Sequence, residues 1–134
     1  MFNLIIINHA SLRVSGGTEI FILDIVKYLK DMGFRITVLA PNSTLGEPER
    51  TPLEVVRREL GEVDYREFAS FELPLFKKPA LPKNVSEILK IVKEADLVYF
   101  SNYYLQGLLT AKIRWSLRNK LSIIAGIHSP LLHN

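Results

Sequence analysis

Cysteine is absent from the 134 residues, which excludes disulfides, thiolate metal sites and thiol nucleophiles. No apolar run approaches the roughly 18 residues that a membrane-crossing helix needs. The opening Met1-Phe2-Asn3-Leu4 has neither the basic flank nor the small-residue cleavage site of a signal peptide, so none is expected. Charge of one sign is also scarce. Seventeen Lys and Arg against fourteen Asp and Glu leave a net +3, an ordinary solubilising charge with no stripe suited to nucleic acid. The three histidines, His9, His128 and His133, are irregularly spaced and form no HExxH zinc motif. A GxSxG nucleophile elbow, the Lys-Ser/Thr ending of a P-loop and a full GxGxxG are missing as well. Hydrolase and nicotinamide-dependent chemistry therefore have no foothold. Two sequons, at Asn42 and Asn84, mean little without a secretion signal.

What is present suits one well-packed domain spanning residues 1–134. Hydrophobic residues make up 48% and charged residues 23%, and a chain of this size buries about 68% of its extended surface. Leu4 to Ile7 is a continuous apolar run, read as a strand covered on both faces. A helix is expected from Thr18 to Asp31, with Ile22, Ile25, Val26 and Leu29 on one face and Gly33 ending it. Ile36 to Ala40 is the next buried strand, stopped by Pro41. Strand, helix and strand in about 37 residues make a right-handed βαβ unit. Asn42 to Pro52 reads as loop. Leu53 to Leu60 reads either as a short helix or as an extended excursion, and Val63 to Phe68 as a strand. Phe71 to Pro82, with three prolines and Lys77-Lys78, reads as an irregular connection. Val85, Ile88, Leu89 and Val92 keep helical spacing. Leu97 to Phe100 is a third clear strand, Tyr103 to Leu117 a helix and Leu121 to Ile127 a last strand. The sum is a Rossmann-like three-layer α/β/α domain with a mainly parallel sheet.

Function in such a sheet belongs beyond the carboxyl ends of its strands. The residues that qualify are Asn8, His9, Ser11, Arg13, Ser15, Gly16, Gly17 and Thr18 in the first loop, Ser101, Asn102 and Tyr103 after the third clear strand, and His128 and Ser129 after the last. Gly16 and Gly17 at a helix start let backbone amides approach a ligand, and those amides favour an anion such as phosphate. An ordinary glycine-rich turn reads equally well. Glu19 opposes an anion if its carboxylate faces the ligand; it either binds a sugar hydroxyl or stabilises its own helix terminus. His128 can exchange a proton with a bound polar group near neutral pH, or bond to a loop carbonyl. Lys112, Arg114, Arg118 and Lys120 beside Trp115 and Leu117 fit the solvated side of a core-packing helix better than a membrane-binding face.

The order Ser15-Gly16-Gly17-Thr18-Glu19, an apolar helix, then Lys30-Asp31-Met32-Gly33-Phe34-Arg35-Ile36-Thr37-Val38-Leu39-Ala40 resembles the opening of the GT-B glycosyltransferases of family 4. Ala95-Asp96-Leu97-Val98-Tyr99 and Ile123-Ile124-Ala125-Gly126-Ile127-His128-Ser129-Pro130 resemble later strands of that family, the second ending in its active-site histidine. Phe34 and the Phe100-Ser101-Asn102 segment depart from positions where the family often has His.

The resemblance implies the N-terminal, acceptor-side domain of a retaining enzyme that moves a sugar from a nucleotide diphosphate sugar to a hydroxyl. By that likeness His128 is the catalytic candidate. Gly16, Gly17, Thr18, Glu19, Asn102 and Ser129 are candidates for the donor diphosphate or substrate, and His9, Arg13 and Tyr103 for the acceptor. No metal and no cofactor beyond the nucleotide sugar substrate is implied. The implied partners are the sugar donor, the hydroxyl acceptor of polysaccharide or glycolipid synthesis, and a C-terminal donor-binding domain outside these residues, without which the isolated chain is expected to be inactive. Nucleic acid is not among them. A cytoplasmic location follows, with peripheral contact at the inner face of a membrane left open. The rival from another class is a non-catalytic α/β binding or interaction module.

Overall fold

The computed structural model describes residues 2–14, 17–44, 46–72, 80–101 and 122–125. Its elements are β1 (Asn3–Ile7), α1 (Gly17–Asp31), β2 (Arg35–Pro41), α2 (Leu53–Leu60), β3 (Asp64–Phe68), β4 (Ser70–Glu72), β5 (Ala80–Pro82), α3 (Val85–Val92), β6 (Leu97–Phe100) and β7 (Ser122–Ala125). Five strands form one sheet in the order β3-β2-β1-β6-β7, and every neighbouring pair is parallel.

The apolar run of β1 explains the layering. Successive side chains of a strand point to opposite faces, and both faces of β1 are covered. Leu4 and Ile6 pack with Ile22 and Val26 of α1 and with Val56 and Leu60 of α2. Ile5 and Ile7 pack with Ile88 and Val92 of α3 and with Val98 and Phe100 of β6. Helices α1 and α2 thus cover one face and α3 the other, a three-layer α/β/α sandwich. Full burial of each such side chain contributes about 1.5–3 kcal/mol.

Helix α1 places Glu19 in its first turn and Lys30 in its last, the charge order its dipole prefers. It ends where Gly33 takes φ of +91°, a left-handed value that side chains resist. The Gly33 amide donates to the Lys30 carbonyl, and the Phe34 amide reaches back to Leu29. The ring of Phe34 then meets Phe2 edge-on at 5.4 Å.

Leu53–Leu60 forms a helix, with Val56 and Leu60 buried. In the segment expected to be an irregular connection, the described residues form strands. Phe71 pairs with Leu81 in a small antiparallel ribbon of β4 and β5, whose cross-strand bonds need only alternate residues and so accommodate Pro82. The expected Tyr103–Leu117 helix lies outside the described residues, and the last strand is described over Ser122–Ala125 only. Strand β3 forms one edge of the sheet. Its Asp64 and Arg66 are exposed and joined by a 2.9 Å ion pair.

Candidate functional site

The strand order reverses direction between β1 and β6, because the chain leaves β1 toward β2 and returns to β6 on its other side. In open α/β sheets ligands bind in the crevice at such a reversal. Asn8 and Ser101, the residues that follow these two strands, are both completely buried. The Asn8 amide extends the ladder to the Leu39 carbonyl at 2.8 Å, and the Ser101 amide bonds to the Ile7 carbonyl at 3.1 Å.

Their side chains join at the carboxyl ends of β1 and β6. The Asn8 Nδ2 donates to the Ala10 carbonyl at 2.7 Å. Only a nitrogen can face a carbonyl, so the Oδ1 of the same amide faces the Ser101 hydroxyl, which donates to it at 2.5 Å. Glu19, in the first turn of α1, is only 4% exposed. Burial raises its pKa, and the neighbouring Asn8 amide and its own backbone amide partly oppose the rise.

A second cluster lies where the loop after β1 crosses the end of β3. Arg13 Nη2 donates to Glu67 Oε1 at 3.1 Å and to the Asn42 carbonyl at 3.1 Å. Its Nε bonds to the Ser11 hydroxyl at 2.9 Å, and its Nη1 meets Glu49 at 3.3 Å. The other Glu67 oxygen accepts from the Tyr65 hydroxyl at 2.7 Å and from Ser11. The Tyr65 oxygen in turn accepts the Leu12 amide at 3.0 Å. Burial alone would lower the Arg13 pKa, but the hydrogen bond and charge of Glu67 outweigh it and leave the pKa raised. Tyr65 is pushed well above the usual phenol range, first by burial and further by Glu67. The Arg13 carbonyl accepts the amides of Arg50 and Thr51, so the same residue also holds down the loop after β2.

Among the sequence candidates, Gly17 begins α1, Thr18 belongs to its first turn, and Glu19 and Arg13 sit as described. His9 is half-buried beside Asn8. Gly16, Asn102, Tyr103, His128 and Ser129 lie outside the described residues. Sequence reasoning placed Asn8 and Ser101 at the right edge without seeing their contact, and it missed Glu67 entirely. A signal for Glu67 was available: strand alternation gives it the same face as the buried Tyr65 and Val63, where an acid needs a partner. Among the described residues, no three His, Asp or Glu side chains are grouped to hold a metal ion, and no helix is long and apolar enough to cross a membrane.

The model of Glycosyltransferase Family 4 matches residues 15–134. The chain belongs to glycosyltransferase family 4. It is the N-terminal domain of a GT-B fold, and the parallel sheet with its reversal at β1 and β6 is the Rossmann-like frame of that fold. The family match begins just before α1, so β1, Asn8 and Arg13 precede it in the chain. No curated protein matches this family 4 domain.

Proposed function

We propose that this domain forms the acceptor-side wall of the active site of a retaining glycosyltransferase, which transfers a sugar from a nucleotide diphosphate donor to a hydroxyl. The observation that supports the reading most is that α1 follows β1, a strand at the reversal of strand order, with Glu19 of its first turn only 4% exposed. A helix terminus attracts an anion through its free amides, and a buried acid leaves that approach open. In this reading the amides around Gly16, Gly17 and Thr18 meet the donor diphosphate, with Asn102 and Ser129 beside the sugar. His128 contacts the transferred sugar or its phosphate. His9 and Tyr103 face the acceptor, and Arg13 shapes the loop that receives it. The bond from the anomeric carbon to the diphosphate breaks as the acceptor hydroxyl oxygen bonds to the same face, and the hydroxyl proton passes to the departing diphosphate oxygen. Negative charge gathers on the departing diphosphate, where preorganised donors contribute most. The enzyme is cytoplasmic in this reading, and a second, donor-binding domain completes the cleft.

Turnover of the full-length protein with UDP-, GDP- and ADP-sugars tests the proposal. Release of nucleoside diphosphate and a product of unchanged anomeric configuration are expected, and His128→Ala should lower kcat at least about tenfold. No release from any donor, inversion of configuration, or unchanged kinetics of the His128 variant would each overturn it.

A further inference from the structure

We propose that Glu67 is a positioning residue for the acceptor: through Arg13 and Ser11 it fixes the path of the loop after β1, which carries the acceptor candidate His9. The inference rests on the reading above and adds to it a residue that never touches the substrate.

The loop is fastened on either side of His9. Before it, the Asn8 amide bonds to the Leu39 carbonyl, and the Asn8 side chain to the Ala10 carbonyl and the Ser101 hydroxyl. Beyond it, three consecutive residues are tied to β3. The Ser11 hydroxyl donates to Glu67 Oε2, and the Leu12 amide donates to the Tyr65 oxygen at 3.0 Å. Arg13 takes both Glu67 oxygens, Nη2 to Oε1 at 3.1 Å and Nε to Oε2 at 3.2 Å. The Ser11 amide adds a bond to the Ser43 carbonyl at 2.9 Å, and Arg13 Nη2 one to the Asn42 carbonyl at 3.1 Å.

Glu67 is where these connections meet. It lies near the carboxyl end of β3 with its side chain only 10% exposed, and it accepts from Ser11, Arg13 and Tyr65 together. Shielded charge pairs gain little stability over apolar side chains of similar volume, because desolvation offsets their attraction. What the carboxylate supplies, and an apolar residue would not, is direction, since the planar fork of an arginine fits it in a fixed geometry. The other contacts of Arg13 go to Ser11, Asn42 and Glu49, so its guanidinium is spent on the loop and not on a ligand. Ala10 alone separates His9 from Ser11. A shift of the Ser11–Arg13 segment therefore reaches His9 almost undiminished, and misplacement by about 1 Å can cost up to about a hundredfold in rate.

The test compares Glu67→Gln, Arg13→Lys and their double variant in the full-length protein. It uses the UDP-, GDP- or ADP-sugar and the octyl glycoside or soluble sugar that the wild type turns over best. Each single variant should raise the acceptor KM roughly tenfold while changing the donor KM less than about twofold. The double variant should be no worse than the more impaired single one, because both remove one connection. Amide hydrogen exchange needs no acceptor, and at Leu12 it should quicken at least about tenfold in Glu67→Gln. Should Glu67→Gln fail to fold, Arg13→Lys and Ser11→Ala, which weaken the same connection, decide the matter alone. Lower thermal stability with an unchanged acceptor KM would overturn the inference while leaving the transferase reading intact. Equal rises in both KM values, additive effects in the double variant, or unchanged exchange at Leu12 would overturn it too. A wild type that releases nucleoside diphosphate from no donor would overturn both readings.

Discussion

Arg13 and Glu67, 54 positions apart in the chain, meet in a two-pronged contact: Nη2 lies 3.1 Å from Oε1 and Nε 3.2 Å from Oε2. Their side chains are only 19% and 10% exposed, so this ion pair is shielded from the solvent that makes most surface pairs weak. It ties the loop after β1 to the far edge of the sheet.

Removing the guanidinium should cost more than an ordinary surface change. Arg13→Ala leaves the Glu67 carboxylate with only the Ser11 and Tyr65 hydroxyls among its described partners, and removes the side-chain contacts to the Asn42 carbonyl and Glu49, while the backbone bonds to Arg50 and Thr51 remain. A loss of about 1.5–3 kcal/mol is expected, read by urea unfolding. Arg13→Lys should recover only part of it, because an ammonium cannot reproduce the fork.

Tyr65→Phe removes the acceptor of the buried Leu12 amide and one donor to Glu67. The expected cost is about 1–3 kcal/mol. A pH signature accompanies it. Folding raises the phenol pKa from 10.0, so this contribution to stability is complete below that value and is lost as pH climbs toward the folded one. The stability advantage of the wild type over Tyr65→Phe should therefore shrink in alkali, measured by denaturation at a series of pH values.

Glu19 titrates with the same sign at the other end of the scale. Its folded pKa lies above the ordinary 4.5, so the folded state holds its proton more tightly than the unfolded chain. The contribution is fully present below pH 4.5 and fades as pH rises through the folded value. Glutamine does not titrate there. Wild type minus Glu19→Gln stability should thus be more favourable at about pH 4 than at about pH 7; a flat difference would contradict the raised pKa.

Gly33→Ala isolates a backbone effect. A methyl group added there meets no atom within 4 Å, so crowding does not contribute. The positive φ alone should cost about 1–3 kcal/mol, visible as a lower urea midpoint with an unchanged slope.

Much of the frame was legible because it depends on local pattern. The apolar runs of β1, β2 and β6 announce doubly covered strands, and Gly33 announces the end of α1. The β4–β5 ribbon was not legible, since its evidence is the pairing of Phe71 with Leu81 and the prolines nearby argue for loop. At the site, Gly17 and Glu19 declare a helix start by their adjacency. That Glu19 is buried, at 4% exposure, is set by packing against residues distant in the chain, which the local pattern does not show. Glu67 was hidden for the same reason: its burial is tolerable only because Arg13 arrives from another loop.

The ion pair of Asp64 and Arg66 on the rim of the sheet has a practical side. An outermost strand offers unused amides and carbonyls to any passing chain, and charged residues there discourage such docking. Concentrating this domain should therefore not drive sheets to add to one another along β3. Replacing both residues with threonine would remove that deterrent and leave an uncharged, strand-favouring edge, a simple recipe for turning a tractable sample into one prone to fibrous precipitation.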